Sequence, residues 1–342
     1  VKILLSSYVF SPSIGGIETV SALLAPEFVK AGHEVILITL TGADDSREYP
    51  YQVFRKPSPA KLIELVRWCD VYFQNNISLH LAWPLLFVRR PWVIAHHTWL
   101  RPYGEPMSWR AKLKCLLLRL GTNATISRAV AERIPVPSTI VGNPYSDQVY
   151  RRIPGIPRDL ELVYLGRLVS DKGVDTLLEA MKKLRQRSLF PRLTIIGSGS
   201  EEASLRQLSH RLEIEKQITF TGSKMPDQIA QLLNAHQVLV VPSRMPEPFG
   251  IVVLEAAASG CVIVASCAGG LPDAVGPCGV TYERADSDGL TDALYRVLTD
   301  PGMRETILHR GREHLANFTP AVVARKYLDV FTRALESHAG HV

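Results

Sequence analysis

The sequence predicts an α/β protein made of two doubly wound domains, and three observations carry that prediction. Short Val/Ile/Leu runs alternate with longer amphipathic stretches, the pattern of parallel strands joined by helices. The chain has 342 residues, about twice the ~150 that one core normally organises. Near its middle the proline-rich stretch VGNPYSDQVYRRIPGIPRDL interrupts the alternation and places a linker around Asp147 to Arg158. The expected division is therefore a first domain over 1–150, a second over 151–319 and a terminal segment over 320–342.

The strands of the first domain are expected at Lys2 to Ser6, Glu34 to Thr39, Val71 to Gln74, Trp92 to Ala95 and Ala124 to Ser127. Those of the second are expected at Glu161 to Gly166, Arg192 to Gly197, Ile218 to Thr221, Val238 to Pro242 and Val262 to Ser266. Pro320 to Glu336 carries apolar residues at helical spacing, among them Val323, Tyr327, Val330 and Phe331. Such a helix can close the second domain or cross back to the first, and crossing back is expected.

Composition bounds the chemistry. Hydrophobic residues make up 46% and charged residues 21%, enough for two buried cores and too apolar for disorder. A net charge of +6 favours anionic ligands, but the cations are too dispersed for a nucleic-acid footprint. The five cysteines show no CxxC or Cys/His spacing, which points to reduced thiols, no metal and a cytoplasmic setting. No stretch reaches the ~18–20 apolar residues of a membrane span, and VKILLSSYVF looks like a strand rather than a signal peptide.

Doubly wound sheets bind ligands beyond the carboxyl ends of their strands, and two such domains are expected to leave a cleft, so the loops after strands hold the candidates. After the first strand, Gly15 and Gly16 open an amphipathic helix. They can let backbone N–H groups approach a phosphate, or simply make a tight turn. The Gly197-Ser198-Gly199 sequence lacks the third glycine of a dinucleotide fingerprint, and no GxxxxGK[ST] occurs, so nicotinamide and P-loop chemistry lose ground.

In LVYLGRLVSDKGVDTLLEAM, Arg167 and Lys172 share one strand-to-helix loop. Both can reach a diphosphate, one as a fork and one as a point charge, or both can be solvated loop cations. The stretch EPFGIVVLEAAASG places Glu247 in a loop and Glu255 about two turns into a helix expected to begin near Pro248. Two such carboxylates can accept hydrogen bonds from vicinal hydroxyls, or serve as a dipole-compensating charge and an ion-pair partner.

Taken together, these residues resemble the retaining GT-B glycosyltransferases of the GT4 type, the glycosyl transferases group 1. The likeness covers essentially the whole chain: SPSIGGIE, AHHTW, LGRLVSDKG, IIGSGSE, ITFTGSK, EPFGIVVLEAAASG and AGGLPDAV. The two glutamates in context with the Arg/Lys loop are the specific part, and each other element alone is weak. The resemblance implies two Rossmann-like domains facing across a cleft and a nucleotide-sugar donor. It implies that Arg167 and Lys172 bind the diphosphate, that Gly15 and Gly16 form a phosphate loop, and that Gly166 and Gly197 belong to donor-side loops. Glu247 would contact donor-sugar hydroxyls, Glu255 would hold the ribose, and the backbone at Phe249, Gly250 and Ile251 would meet sugar and phosphates. Ser223, Lys224 and Met225 would contact the base. His97 would lie beside the donor sugar, with tandem His96 as a rival.

The mechanism so implied is front-face retaining transfer, with the diphosphate helping to deprotonate the acceptor. Two cations and N–H groups can neutralise the leaving group, so no metal and no cofactor are expected. UDP is the default donor nucleotide and GDP the variant. Trp99, Tyr103 and Trp109 can stack on an acceptor ring, read as a small glycoside, natural product or glycan. Lys112, Lys114 and Arg119 can touch a membrane surface, though core packing of the neighbouring leucines is the commoner reason for such a stripe. A sugar-nucleotide epimerase of similar architecture, a lipid-acceptor enzyme and a non-catalytic nucleotide-sugar module are the alternatives.

Overall fold

The computed structural model describes residues 1–13, 15–42, 47–101 and 108–340. Its contacts divide the chain into two compact units, Val1–Pro144 with Thr319–Val342, and Tyr145–Phe318. The division at 144/145 lies six residues before the 150/151 read from proline content. Tyr145 N–H bonds to Phe318 O at 3.2 Å, so the chain enters and leaves the second unit at neighbouring points.

The first unit is a parallel seven-stranded sheet: β1 (Lys2–Ser7), β2 (Glu34–Thr39), β3 (Gln52–Arg55), β4 (Val71–Asn75), β5 (Trp92–His96), β6 (Thr122–Thr125) and β7 (Ser138–Ile140). Its order is β3-β2-β1-β4-β5-β6-β7. Central strands read as continuous apolar runs because helices cover both faces, and β4 and β5 are buried throughout. The last helix, Pro320–Ala339, belongs to this unit. Its Tyr327 and Phe331 rings lie 4.9 and 5.1 Å from Phe73, and Phe331 lies 5.4 Å from Phe28. Each buried aromatic is worth roughly 1.5–3 kcal/mol of transfer free energy, which explains why an element so distant in sequence docks here.

The second unit holds a parallel six-stranded sheet: β8 (Leu160–Leu165), β9 (Leu193–Ile196), β10 (Ile218–Gly222), β11 (His236–Val241), β12 (Val262–Ser266) and β13 (Gly279–Tyr282). The order is β10-β9-β8-β11-β12-β13. The helix Val174–Gln186 buries Val174, Leu177, Leu178, Met181 and Leu184 against this sheet's core. Both sheets therefore wind outward in two directions from a central pair, β1/β4 in one and β8/β11 in the other, and those pairs are the switch points where ligands bind in such folds.

All ten expected strands are present, and β3, β7 and β13 are additional. Each of the three is a short sheet edge, with one side chain fully buried at most. A strand with little to bury leaves a weak apolar signature, which is why their sequences were silent.

Candidate functional site

In the second unit, β8 and β11 part at their carboxyl ends, and a pocket of about 300 Å³ opens there. Gly166, Arg167 and Lys172 line it from the loop after β8, Ser243 and Glu247 from the loop after β11, and Val252 and Glu255 from the following helix. The six-residue loop between Leu165 and Lys172 is held against the β11 loop by backbone bonds from Arg244 N and Met245 N to Asp171 O, at 2.8 and 3.2 Å. Gly173 makes that approach possible. Its φ is 67°, and a Cβ there would stand 2.1 Å from Pro242 O. Arg244 also reaches back to Asp175 and Thr176 at the start of the next helix, fixing the loop's far end.

Lys172 Nζ lies 2.9 Å from Glu247 Oε1, with 23% and 16% of the two side chains exposed. Ser243, itself buried, donates its hydroxyl to the same carboxylate oxygen. Glu247 sits on an isolated bridge to Gly269, so backbone and side chain are both held. Arg167 is exposed at the mouth, its carbonyl accepting from Tyr164 Oη at 2.8 Å.

The helix carrying Glu255 is Ile251–Ala258, capped by Gly250, and begins three residues later than expected. The Pro248-Phe249 pair stays in the loop because Phe249 is buried against Phe318 at 5.6 Å. Glu255 is thus about one turn inside the helix rather than two. Burial pushes its carboxyl up to about 7. The Tyr150 ring lines the same pocket, and its hydroxyl is raised by burial first and by Glu255 and Asp227 next.

Gly197 closes up to the neighbouring loop: its φ is 136°, a Cβ would meet Gly166 O at 1.9 Å, and its N–H bonds to Gly222 O. Ser223, Lys224 and Met225 follow β10 on the surface and do not line the pocket; Ser223 Oγ is 2.9 Å from Ser198 Oγ, and Met225 N–H bonds to Gln228 Oε1. Phe249 contributes a core ring rather than a pocket wall, and Ile251 opens the helix.

In the first unit, Gly15 caps and Gly16 begins the helix Gly16–Lys30. His96 and His97 follow one another at the end of β5 and are both buried, yet they are used differently. His96 Nε2 is 2.9 Å from Asn123 Oδ1, and Asn123 Nδ2 donates to Leu118 O and Gly121 O, so this ring is part of the fold. His97 Nδ1 is 2.9 Å from Asn143 Oδ1, while its buried Nε2 has no partner among the described residues. Burial holds the His97 imidazole down to about 4, with the Asn143 bond raising it somewhat and His96 lowering it. Trp99 packs its ring under Arg133 at 5.5 Å, and Trp109 is 70% exposed. Trp109 lines a hollow of about 490 Å³ with Tyr8 and Asn75 at this unit's switch point; His96 and Trp99 do not. Tyr103 lies outside the described residues.

Sequence reasoning passed over Ser243, Tyr150 and Asn143. Ser243 stands four residues before Glu247, a spacing that a loop search around the glutamate could have used. Asn143 follows β7, an unrecognised edge strand, so nothing marked it as lying at a strand end.

Residues 146–314 match the family model described as glycosyl transferases group 1. The D-inositol 3-phosphate glycosyltransferase of Corynebacterium diphtheriae is 33% identical over 190 residues, 53% of this chain and 44% of that protein. The glycogen synthase of Mycobacterium tuberculosis (strain H37Rv) is 34% identical over 177 residues, 51% of this chain and 42% of that protein. The chain thus spans less than half the length of these two curated relatives. Among solved structures, a glycosyltransferase from Rickettsia africae aligns with a TM-score of 0.80 at 16% identity, covering 98% of both chains. Anabaena HepE in complex with UDP aligns at 0.80 with 20% identity, covering 97% of this chain and 99% of that one. Those likenesses carry the GT-B fold. The likeness to the glycosyl transferases group 1 is thus carried by the second unit, over residues 146–314.

Proposed function

We propose that the protein is a retaining glycosyltransferase that moves a sugar from a nucleoside diphosphate sugar, UDP-linked by preference and GDP-linked as the variant, to a hydroxyl of a small glycoside, natural-product or glycan acceptor. One observation carries the reading: Arg167, Lys172, Glu247 and Glu255 line a single pocket at the switch point of the second sheet. The two cations would neutralise a departing diphosphate, and they suffice for that charge without a metal ion. Glu247 would accept from sugar hydroxyls and Glu255 from ribose hydroxyls. Lys172 is paired with Glu247. An incoming diphosphate would draw Lys172 to its oxygens and free a carboxylate lone pair for the sugar, so donor binding and Glu247 release are coupled. The UDP complex of the similarly folded Anabaena protein supports a uridine donor. Among the described residues no helix is long and apolar enough to cross a membrane.

The test is incubation with UDP-glucose, UDP-galactose and GDP-mannose against a panel of acceptors in chelator, with product configuration read by NMR. An α-linked product from an α-linked donor supports the proposal. An inverted product refutes retention, and epimerised or free sugar formed equally without acceptor assigns the chemistry to an epimerase or hydrolase instead.

A further inference from the structure

The helix Trp109–Leu117 and the 3-10 turn Leu118–Leu120 that continues it belong to the first unit and dock on it by one side only. Leu118 is fully buried, Ala111 nearly so, and Leu117 packs against the core around Leu62, Tyr72 and Trp92. Trp109, Leu113, Leu116 and Leu120 follow one another at spacings of four, three and four, which is one face of a helix. That face points outward: Trp109 is 70% exposed, Leu116 59% and Leu120 69%, with Leu113 exposed as well. Core packing, the commoner reason for such a stripe, therefore holds for Leu117 and not for Leu113, Leu116 or Leu120. Three leucines and a tryptophan aligned in water mark a docking surface rather than scattered exposure.

The charges around the row say what it meets. Lys112 and Arg119, seven residues apart, edge it on one side and are exposed. A hollow of about 700 Å³ beside Leu116 is lined by Arg101, Lys112, Arg119 and Arg133 against one carboxylate, Glu132. From Ser108 to Ala131 the sequence has no Asp or Glu. A second copy of the chain would bring the same cations to this face, so charge opposes a two-fold contact. An anionic lipid surface complements it: acyl chains take the leucines, the headgroup layer takes the indole, and lipid phosphates take the cations. We propose that the face of Trp109, Leu113, Leu116 and Leu120, edged by Lys112 and Arg119, docks the first unit on an anionic lipid surface. The segment lies in the headgroup boundary and does not cross, since nine residues of helix and three of turn fall far short of the ~20 that a span needs. Docking here involves no residue of the donor pocket and is independent of the transferase reading.

Flotation of the full chain with extruded vesicles, without donor or acceptor, is the test. Vesicles of phosphatidylcholine and phosphatidylglycerol in equal parts should carry the protein at least about tenfold better than phosphatidylcholine alone, since each cation near an anionic surface is worth about fivefold. Raising the salt from about 0.1 M to about 1 M should weaken binding, as the screening length falls from about 10 to about 3 Å. Leu116→Glu with Leu120→Glu should lower binding at least about tenfold and melt like the wild type, because both side chains are exposed. Lys112→Ala with Arg119→Ala should lower it by about the same factor and shrink the preference for anionic vesicles. Quenching of tryptophan fluorescence by brominated acyl chains should occur in the wild type and be largely lost in Trp109→Phe, a readout that involves no change of charge. Absence of flotation with anionic vesicles, flotation unchanged in the Leu116/Leu120 variant, or quenching unchanged in Trp109→Phe would each overturn the proposal. So would a wild-type dimer that the Leu116/Leu120 variant loses, because a second copy would then cover this face.

Discussion

Lys172 and Glu247 form an ion pair of 2.9 Å inside the pocket of the second unit, and the same carboxylate oxygen takes a second contact from Ser243. Two groups assigned opposite partners in the proposed reaction, a diphosphate and a sugar, thus hold each other. Neither can be removed without leaving the other half-buried and less well compensated, which gives the variants below distinct signatures.

Removing either charge on the reacting side should be severe. Arg167→Ala and Glu247→Ala are each expected to lower transfer by at least about a hundredfold, the usual scale of lost transition-state electrostatics. Steady-state kinetics with a saturating donor checks this, and near-normal turnover in either variant removes that residue from its role.

The environment of Glu255 makes donor binding depend on pH. Burial disfavours the anion and pushes its carboxyl up to about 7. A ribose held by the carboxylate needs the ionised form, so affinity for a nucleotide sugar should rise about tenfold from pH 6 to pH 8. The Glu255→Gln variant should bind weakly and without that rise. An equal affinity at both pH values in the wild type would refute the ribose assignment.

The same shift has a sign for stability. A carboxyl whose pKa is raised on folding contributes least above the folded value, so the cost of Glu255 is absent below about pH 4.5 and grows as pH rises through 7. Glu255→Gln should therefore be about as stable as the wild type at pH 4.5 and more stable at pH 8, by about 3 kcal/mol at most. Thermal or denaturant melting at the two pH values decides it.

Backbone strain gives a third kind of test. Gly173→Ala places a Cβ on Pro242 O at a φ of 67° and should cost roughly 1–3 kcal/mol while displacing Lys172. Transfer should fall more than stability accounts for. A variant that melts and turns over like the wild type would show that this close approach is dispensable.

How much of this could be read from the chain follows from what each element buries. The central strands and the helix at 320–339 announce themselves because they bury long apolar runs, as in β4, β5 and the Tyr327/Phe331 face. The edges β3, β7 and β13 bury little and stayed hidden. Arg167, Lys172, Glu247 and Glu255 stood out as charges within otherwise apolar strand-to-helix segments. The sequence favours His97 with His96 as a rival, and what separates the two rings in the fold, Nε2 on Asn123 in one and Nδ1 on Asn143 in the other, leaves no mark on the sequence. Likewise the start of the Glu255 helix is set by a tertiary contact, the burial of Phe249, rather than by the Pro-Phe-Gly sequence that precedes it.

The central claim is that the pocket holding Arg167, Lys172, Glu247 and Glu255 binds a nucleoside diphosphate without help from a metal. Calorimetric titration of wild type and Arg167→Ala with UDP, GDP and NAD, in excess chelator, tests it most directly. The account predicts saturable binding of UDP or GDP to the wild type, at least about tenfold weaker binding to Arg167→Ala, and none of NAD. Binding of NAD, binding that needs a divalent cation, or nucleotide affinity indifferent to Arg167 would contradict it.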